Sequence, residues 1–392
     1  MNVQINRLLQ PPDHTFFLFG PRGTGKSTWL KKHFQGQLFL DLLDSGLFLE
    51  LAQRPGTLGR LAGEAGTGSW VVIDEVQKVP ALLDEVHRLI EDRRLRFALC
   101  GSSARKLRRS GTNLLGGRAL TRSLSTFTSA ELADQFNLDF SLEWGMLPYV
   151  HRDPANTAEI LRSYVNTYLK EEIREEGVIR NVPPFLRFLG VAGMMNGRIV
   201  NAQNIAQQAG VSRGTIDQYW SIMEDTLIGG FLPAFRPRLK VREAAHPKFY
   251  WFDAGVARAA SGLAFDRPDR AWLGLSFETL LLNELKVFNH VTGRNRDLFY
   301  YRTPAGVEID FIIETGKAQS SSAPHVVCIE AKLSESWDTA WEKPMLSLAR
   351  QEGIVVEKMF GVYTGNRSYF KDNLAVLPAG EFLKRLHGGE VF

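Results

Sequence analysis

A glycine-rich segment near the N-terminus carries the residue types that bind phosphate. Residues 15–28 read TFFLFGPRGTGKST, so a short apolar run is followed directly by the pattern G-x-x-x-x-G-K-[ST]. Gly23 and Gly25 would let backbone N–H groups turn towards phosphate oxygens, where a side chain would block the approach. A helix that begins near Lys26 would add the positive end of its dipole. The segment therefore predicts a binding site for a nucleoside triphosphate, with ATP and Mg²⁺ as the expected cofactors.

Individual residues of this loop have separate expected roles. Lys26 would contact the β- and γ-phosphates during catalysis, and the hydroxyl group of Ser27 would coordinate Mg²⁺. The residues expected to surround the nucleotide are Gly20, Pro21, Arg22, Gly23, Thr24, Gly25, Lys26, Ser27 and Thr28.

Two adjacent acids supply further groups that hydrolysis needs. Asp74 and Glu75 follow four consecutive apolar residues at positions 70–73, a run typical of a strand buried on both faces of a parallel sheet. Ligands of open α/β sheets bind at the carboxyl ends of the strands, so both acids should lie beside the phosphate loop. We expect Asp74 to hold Mg²⁺ through water and Glu75 to polarise the attacking water.

Two further positions are candidates for sensing or stabilising the phosphates. Ser102 and Ser103 follow the strand expected at residues 96–100, and either hydroxyl could contact the γ-phosphate or the attacking water. Arg118 follows the glycine pair at 116–117 and could complete the site of a neighbouring subunit as an arginine finger. A surface arginine that fixes its own loop is an equal alternative, because the residue type alone does not decide.

Charged residues inside apolar strands mark a second candidate site in the C-terminal third. Asp310 interrupts an apolar strand, and Glu330 and Lys332 end the next strand on one face. Together with Glu278 on the flanking helix, they would form a hard-cation site for Mg²⁺. The catalytic candidates are Asp310, Glu330 and Lys332, and the expected metal ligands are Glu278, Asp310 and Glu330. A buried ion cluster that neutralises itself is the alternative.

The middle of the chain contains a candidate helix-turn-helix at residues 199–223. Its second helix is expected over 213–223, with Ser212 as the N-cap. The exposed side of that helix should carry Arg213, Thr215, Gln218 and Tyr219, and the buried side Ile216, Trp220 and Met223. Such a helix can enter the major groove of DNA, or the unit can serve as a spacer or protein contact.

A stretch that follows the helix-turn-helix has basic residues at alternate positions. If the stretch is extended, one face would carry Arg236, Arg238, Lys240 and Arg242. A basic stripe of this kind suits phosphate contacts, so DNA is an expected partner. An edge strand protected by its positive charge is the competing explanation.

Composition places the chain among ordinary globular proteins of two or three domains. It has 392 residues, of which 44% are hydrophobic and 23% charged, and its net charge of +4 permits nucleic-acid binding without indicating it. Cys100 and Cys328 lie in apolar runs without metal-ligand spacing and are expected to be buried free thiols. Neither a signal-peptide pattern nor an apolar run of membrane-spanning length is found, so we expect a cytoplasmic protein without a membrane partner.

The motifs GPRGTGKS, VVIDEVQ, GSSARKL, GGR and LPYV, in this order, resemble the prokaryotic AAA-type ATPase family whose chains carry a C-terminal domain of unknown function, DUF4143. The resemblance implies ATPase roles for Lys26, Ser27, Asp74, Glu75, Ser102 and Arg118, in a protein that forms homo-oligomers. In the C-terminal third, the order of a glutamate on a helix, an aspartate and E-x-K resembles the core of PD-(D/E)XK nucleases.

Together these features predict an α/β protein in three parts. An AAA-type P-loop parallel sheet with its lid is expected over residues 1–150, a helical and winged-helix segment over 151–245, and an α/β PD-(D/E)XK nuclease-like domain over 246–392. The predicted function is ATP binding and hydrolysis coupled to a DNA-binding, nuclease-like C-terminal region. The alternative is an ATP-controlled switch whose C-terminal domain is a non-catalytic scaffold for protein interactions.

Overall fold

The strands of the protein form three sheets that follow one another along the chain. The computed structural model describes residues 5–63, 65–102, 105, 107, 115–169, 182–236, 246–316 and 323–392. Within these residues, a five-stranded sheet, a three-stranded sheet and a six-stranded sheet occur in that order.

The N-terminal part is a parallel sheet covered by helices. Its strands are β1 (Phe16–Phe19), β2 (Leu38–Asp41), β3 (Trp70–Asp74), β4 (Arg96–Cys100) and β5 (Leu120–Ser123). Their order in the sheet is β2-β3-β4-β1-β5, and every neighbouring pair is parallel. The helices between the strands are α1 (Lys26–His33), α2 (Ser45–Gln53), α3 (Thr57–Leu61) and α4 (Leu82–Arg93).

Alternation along β1 explains why the sheet carries apolar cores on both faces. Phe16 and Leu18 pack in one cluster with Trp29 of α1, whereas Phe17 and Phe19 belong to the cluster on the opposite face. Successive strand residues point to opposite faces, so a strand buried on both sides must be apolar throughout. The predicted parallel α/β sheet is confirmed.

Helices dominate the middle of the chain. They are α5 (Ser129–Leu132), α6 (Leu138–Trp144), α7 (Pro148–Arg152), α8 (Thr157–Ser163), α9 (Val182–Met194), α10 (Ala202–Ala209), α11 (Arg213–Asp225) and α12 (Ala254–Ala260), with a π-helical turn over Tyr164–Leu169. The strands β6 (Arg198–Ile199), β7 (Gly229–Leu232) and β8 (Lys248–Trp251) form an antiparallel sheet in the order β6-β8-β7. The predicted boundary at residue 245 falls between β7 and β8, which this sheet pairs with each other.

The predicted pair of helices is present as α10 and α11. The hydroxyl of Ser212 accepts a hydrogen bond from the Thr215 N–H at 3.2 Å and caps α11, as expected. Ile216 and Trp220 are buried, as their spacing predicts. Tyr219, expected on the exposed side, is instead buried against the rings of Phe185 and Phe188 on α9.

The C-terminal part builds a mixed sheet behind one long helix. Its elements are α13 (Arg270–Val291), β9 (Asp297–Arg302), β10 (Glu308–Gly316), β11 (His325–Lys332), α14 (Lys343–Ala349), β12 (Val355–Tyr363), β13 (Tyr369–Lys371), β14 (Leu374–Pro378) and α15 (Ala379–His387). The sheet order is β13-β14-β12-β11-β10-β9; β9, β10 and β11 are antiparallel, and β12 joins β11 in parallel. None of the described helices, α13 included, combines the length and apolarity needed to cross a bilayer.

Candidate functional site

The order of the parallel strands brings the predicted ATPase residues to one edge of the sheet. The phosphate loop follows β1, Asp74 ends β3, and Ser102 follows β4, which lies between these two strands. Because all of these strands are parallel, their carboxyl ends meet at the same edge. Ser103 lies outside the described residues.

The phosphate loop has the backbone conformation that its glycines allow. Gly23 and Gly25 have φ angles of +82° and +90°, and a side chain at Gly25 would meet no neighbouring atom within 4 Å. Helix α1 begins at Lys26, so the first N–H groups of the helix have no partner within it and face the loop end. The conformation suits a polyphosphate, whose oxygens can accept from these N–H groups.

Lys26 is folded back onto its own loop. Its Nζ donates to the carbonyl oxygens of Gly20 at 2.7 Å and Pro21 at 3.0 Å, and the residue is buried. Two neutral carbonyls accept from two of the three ammonium donors and do not neutralise the charge. A phosphate oxygen would therefore be a stronger partner for Lys26 than the groups that hold it here.

The two acids after β3 differ in environment. Asp74 is buried, and its Oδ1 accepts the backbone N–H of Glu75 at 3.1 Å. Glu75 has a φ of +59°, a left-handed conformation that is uncommon outside glycine and that concentrates at functional sites. Burial raises the pKa of the Cys100 thiol well above its ordinary value, and the neighbouring Asp74 carboxylate acts in the same direction. Cys100 is thus an inert thiol beside the acids.

Gln77 is a site residue that the sequence reasoning missed. Its side-chain amide donates to the Glu75 carboxylate, and its buried Oε1 has no hydrogen-bond partner among the residues that the structure describes. The same Oε1 lies so close to Gly101 that a Cβ there would be 2.4 Å away. The available signal was a glutamine two residues after Glu75, in the short turn Val76–Lys78. Gln77 therefore fixes the position of the carboxylate expected to polarise water.

Residues from outside the loop support it from two sides. Arg7 donates to the carbonyl oxygens of Thr24 at 3.0 Å and Ser125 at 2.6 Å, and its Nε bonds to Glu131 at 3.1 Å. The hydroxyl of Tyr164 donates to the Arg22 carbonyl at 2.8 Å. These residues were not predicted, because their role depends on contacts between distant parts of the chain.

A cavity of about 640 Å³ opens beside the loop. Its lining includes Gly23, Gly25 and Thr28 on the loop side and Tyr149, His151 and Arg152 of α7 opposite. The Tyr149 ring lies against Gly23, where a Cβ would be 2.7 Å from it. The cavity falls within the usual volume of a small-molecule site. The residues present therefore fit a nucleotide, with Lys26, Ser27 and Asp74 available for its phosphates and Mg²⁺.

Arg118 does not lie at this edge. Leu120 pairs with Phe16 at the start of β1, so Arg118, two residues earlier, lies at the amino edge of the sheet. Its guanidinium forms an ion pair with Glu91 of α4 at 2.5 Å, and both side chains are exposed. Arg118 cannot reach the phosphate loop of its own chain, because the loop occupies the opposite edge.

The predicted C-terminal residues do converge. Asp310 Oδ2 accepts the Ala331 N–H at 2.8 Å, and Lys332 Nζ lies 3.7 Å from the same oxygen. Lys332 also forms an ion pair with Glu330. Burial, followed by the charge of Asp310, raises the pKa of Glu278 and Glu330 above the ordinary carboxyl range. The carboxylates are therefore in an environment that disfavours uncompensated negative charge.

Lys248 and Glu308 belong to the same cluster and were missed. Lys248 Nζ lies 2.5 Å from Glu308, 3.4 Å from Glu278 and 3.9 Å from Asp310. Burial acts to lower the pKa of Lys248, but these three carboxylates outweigh it and raise that pKa above its ordinary value. Period two could have placed Glu308 on the face of Asp310. A lysine opening the aromatic run KFYW was the available signal for Lys248.

The cluster does not have the character of a metal site. In the part of the chain that the structure describes, no group of three or more His, Cys, Asp or Glu side chains is arranged to hold a metal ion. Lysine ammonium groups lie among the carboxylates expected to bind Mg²⁺, which are Glu278, Asp310 and Glu330. The donor set does not fit a divalent cation in this arrangement.

The candidate DNA surface is partly described. Arg213 and Gln218 of α11 are exposed, and so is Arg236. The other members of the predicted basic stripe, Arg238, Lys240 and Arg242, lie outside the described residues. Phe235 is buried, and its N–H donates to the Tyr300 carbonyl of β9 at 2.6 Å. The start of the stripe therefore lies along the edge of the C-terminal sheet.

Comparison with solved structures finds remote likenesses at low sequence identity, three of which are as follows. The ORC1 protein of Aeropyrum pernix in complex with DNA is 14% identical, with 64% of this chain and 87% of that chain covered and a TM-score of 0.29. A mutant of RuvB from Thermotoga maritima is 14% identical, with 56% of this chain and 82% of that chain covered and a TM-score of 0.31. A STAND signal-transduction ATPase with a tetratricopeptide repeat sensor, from Pyrococcus horikoshii, is 11% identical. The match covers 71% of this chain and 45% of that chain, with a TM-score of 0.20.

Family profiles match three consecutive parts of the chain. Residues 13–133 match an AAA domain, residues 135–267 a domain of unknown function (DUF8612), and residues 273–382 a domain of unknown function (DUF4143). The sequence reasoning did not anticipate the middle match. The chain has the architecture that its motifs predicted, an AAA domain followed by a C-terminal DUF4143 domain.

Proposed function

We propose that the protein binds and hydrolyses ATP at the carboxyl edge of its parallel sheet. The observation that carries the proposal is the convergence of the phosphate loop, Asp74 and the strained Glu75 at that edge, beside a nucleotide-sized cavity.

Each residue of the site has a role that its position supports. The loop N–H groups and Lys26 would hold the phosphates, and Ser27 and Asp74 would hold Mg²⁺, which supplies positive charge to offset the charge that develops on the phosphates. Glu75, positioned by Gln77, orients and polarises the attacking water. Ser102 lies between the loop and the acids, where its hydroxyl can contact the γ-phosphate or that water.

Two substitutions at the loop and the acids test this proposal. Lys26→Ala is expected to weaken ATP binding, whereas Glu75→Gln should bind ATP and lower the turnover number by roughly 10²- to 10³-fold. Nucleotide affinity and phosphate release are the measurements. Lys332→Ala, which removes a lysine from the other cluster, is the control and should leave turnover intact. Wild-type hydrolysis rates in both site variants would contradict the proposal.

A further part of the proposal is that the ATPase works as a homo-oligomer. Arg118 lies at the amino edge and is exposed, where it can enter the site of another copy as an arginine finger. Light scattering with ATP should then detect a species larger than one chain. The alternative, a surface arginine held by Glu91, predicts a monomer at full activity.

For the middle region we propose DNA binding through α11. Support comes from the element order: α9, β6, α10, α11 and the β7–β8 hairpin follow one another as in a winged helix. Arg213 projects from the first turn of α11, the end that enters the major groove in helix-turn-helix proteins.

Charge reversal at Arg213 tests the DNA proposal. Arg213→Glu should lower DNA affinity and reduce the slope of log K against log salt by about 1, because one phosphate contact is lost. Affinity is measured across a salt series with short duplexes. Arg54→Glu, an exposed position after α2, is the matched control for the change in net charge. Identical salt slopes for the wild type and Arg213→Glu would place the contact elsewhere.

For the C-terminal sheet, a non-catalytic role is better supported than phosphodiester cleavage. The carboxylates of the C-terminal cluster already form ion pairs with Lys248 and Lys332. This favours a non-catalytic scaffold that ATP binding controls. Cleavage of DNA or RNA with Mg²⁺ or Mn²⁺ that is lost in Asp310→Ala would favour the nuclease instead.

A further inference from the structure

Lys248 lies where the C-terminal carboxylates converge. We propose that its ammonium group is the cation that compensates these carboxylates, in the place of a divalent metal. Through the same contacts, Lys248 joins the three-stranded sheet to the six-stranded sheet. The proposal concerns the C-terminal cluster alone and does not depend on ATP hydrolysis at the N-terminal site.

Burial and charge fix the role of Lys248. Its side chain is 5% exposed, so the ammonium group must find its partners inside the protein. It finds three, Glu278 on α13 and Glu308 and Asp310 on β10. Lys332 approaches Asp310 and Glu330 from the neighbouring strand. Two lysines, together with Arg302 at 3.5 Å from Glu308, thus supply the positive charge beside the four carboxylates.

The same arrangement leaves no suitable place for a divalent ion. Mg²⁺ requires oxygen ligands at about 2.0–2.1 Å in octahedral geometry and usually keeps several waters. Lys248 Nζ already lies 3.4 Å from Glu278 and 3.9 Å from Asp310, two of the carboxylates that would have to hold such an ion. Two ammonium groups would also repel a dication at close range.

Neighbouring contacts show that Lys248 joins two separate units. It is the first residue of β8, which pairs with β6 and β7, whereas its partners belong to α13 and the C-terminal sheet. Tyr250, two residues on and on the same face, donates its hydroxyl to Glu278 at 2.7 Å. The Tyr300 hydroxyl of β9 donates to the carbonyl of His246. The strand that carries Lys248 is therefore fastened to the C-terminal part along its length.

Removing the charge of Lys248 tests the proposal. Lys248→Met is expected to lower the melting temperature by on the order of 10 °C, because carboxylates remain buried without compensation. Lys248→Arg, which keeps a cation, should lose less than half of that. Lys384→Met, at an exposed position on α15, is the control for loss of a lysine. A melting temperature of Lys248→Met equal to that of the control would overturn the proposal.

A double-mutant cycle separates charge from packing. Glu308→Gln removes one of the carboxylates that Lys248 compensates, so Lys248→Met combined with Glu308→Gln should be destabilised by less than the sum of the two single changes. Simple additivity would overturn the proposal. If Lys248→Met yields no folded protein, adding both Glu278→Gln and Glu308→Gln is expected to restore folding. Failure of that triple variant, while the double glutamine variant folds, would also overturn it.

Metal binding gives an independent readout. Nucleotide-free protein is titrated with Mn²⁺ by calorimetry, with Asp310→Asn in parallel. The two proteins are expected to give the same result, without a saturable site that depends on Asp310. A stoichiometric Mn²⁺ site in the wild type that disappears in Asp310→Asn would show that a metal, not Lys248, is the cation of the cluster.

Discussion

The two lysine–carboxylate sites of this protein differ in what compensates the lysine. At the phosphate loop, Lys26 is held by two carbonyl oxygens beside a cavity of about 640 Å³. In the C-terminal cluster, Lys248 and Lys332 are held by carboxylates of the same chain. The positive charge of Lys26 is therefore available to a bound ligand, whereas the charges of Lys248 and Lys332 are already compensated by carboxylates of the chain.

This difference shows which observation separates a binding site from a structural cluster. Both regions present acids and a lysine at the ends of strands, so residue type and spacing describe them equally well. A buried charge must be compensated, and the question is whether the compensating group belongs to the chain or to a ligand. The N-terminal site is open and can accept a group from another subunit, while the C-terminal cluster is complete within one chain.

The largest expected effect concerns the arginine that a second copy of the chain is proposed to supply to the N-terminal ATP site. Arg118→Ala should retain ATP binding and lose turnover by roughly 10³-fold or more, since an arginine finger contributes on that order. Phosphate release measures this. Mixing Arg118→Ala with Lys26→Ala should restore part of the activity, because an intact site then forms from an intact loop and an intact arginine. Full activity of Arg118→Ala alone would mean that Arg118 only anchors its own loop through Glu91.

The next effect compares an aspartate from each site. Asp310→Ala should lower the free energy of unfolding by about 3–5 kcal/mol, because the buried Lys248 and the half-buried Lys332 lose a partner and the Ala331 N–H loses its acceptor. Asp74→Ala should abolish ATP turnover with a smaller effect on stability. Denaturant unfolding and phosphate release measure the two properties. Equal destabilisation by both changes would remove the distinction between the sites.

The smallest effect concerns a support of the phosphate loop. Tyr164→Phe removes the hydrogen bond to the Arg22 carbonyl and should cost about 1 kcal/mol, seen as a few-fold loss of ATP affinity. Tyr363→Phe removes a matched bond, from its hydroxyl to the Arg367 carbonyl at 2.7 Å, in the C-terminal sheet. Nucleotide titrations should show no change for this control. If both variants bind ATP as the wild type does, Tyr164 does not position the loop.

Short sequence patterns predicted helices, strands and loops well where the local backbone conformation or burial alone determines the residue type. The glycines of the phosphate loop, the doubly buried β3 and the Ser212 cap all follow from short-range rules. The same holds for the strands that carry Asp310 and Glu330 and for the helix that carries Glu278. These features need no knowledge of distant contacts.

Contacts between distant parts of the chain could not be predicted in this way. Lys248 is separated from Asp310 by many residues, and its place in the cluster is seen only from its tertiary contacts with Glu278, Glu308 and Asp310. Tyr219 was expected on the exposed side of α11, because helical spacing alone does not reveal that α9 covers it. Whether the acidic side chains of a strand form ion pairs with lysines depends on tertiary packing, which the alternation of residues along the strand does not reveal.

If Arg118 completes the site of another copy, as proposed, its position restricts the symmetry of the assembly. The arginine lies at the amino edge of the parallel sheet and the phosphate loop at the carboxyl edge, so a shared site joins two unlike surfaces. An interface of unlike surfaces repeats head to tail, and it must either close into a ring or continue as a filament. In a closed ring every site gains an arginine, whereas an open filament leaves an unfinished site at one end.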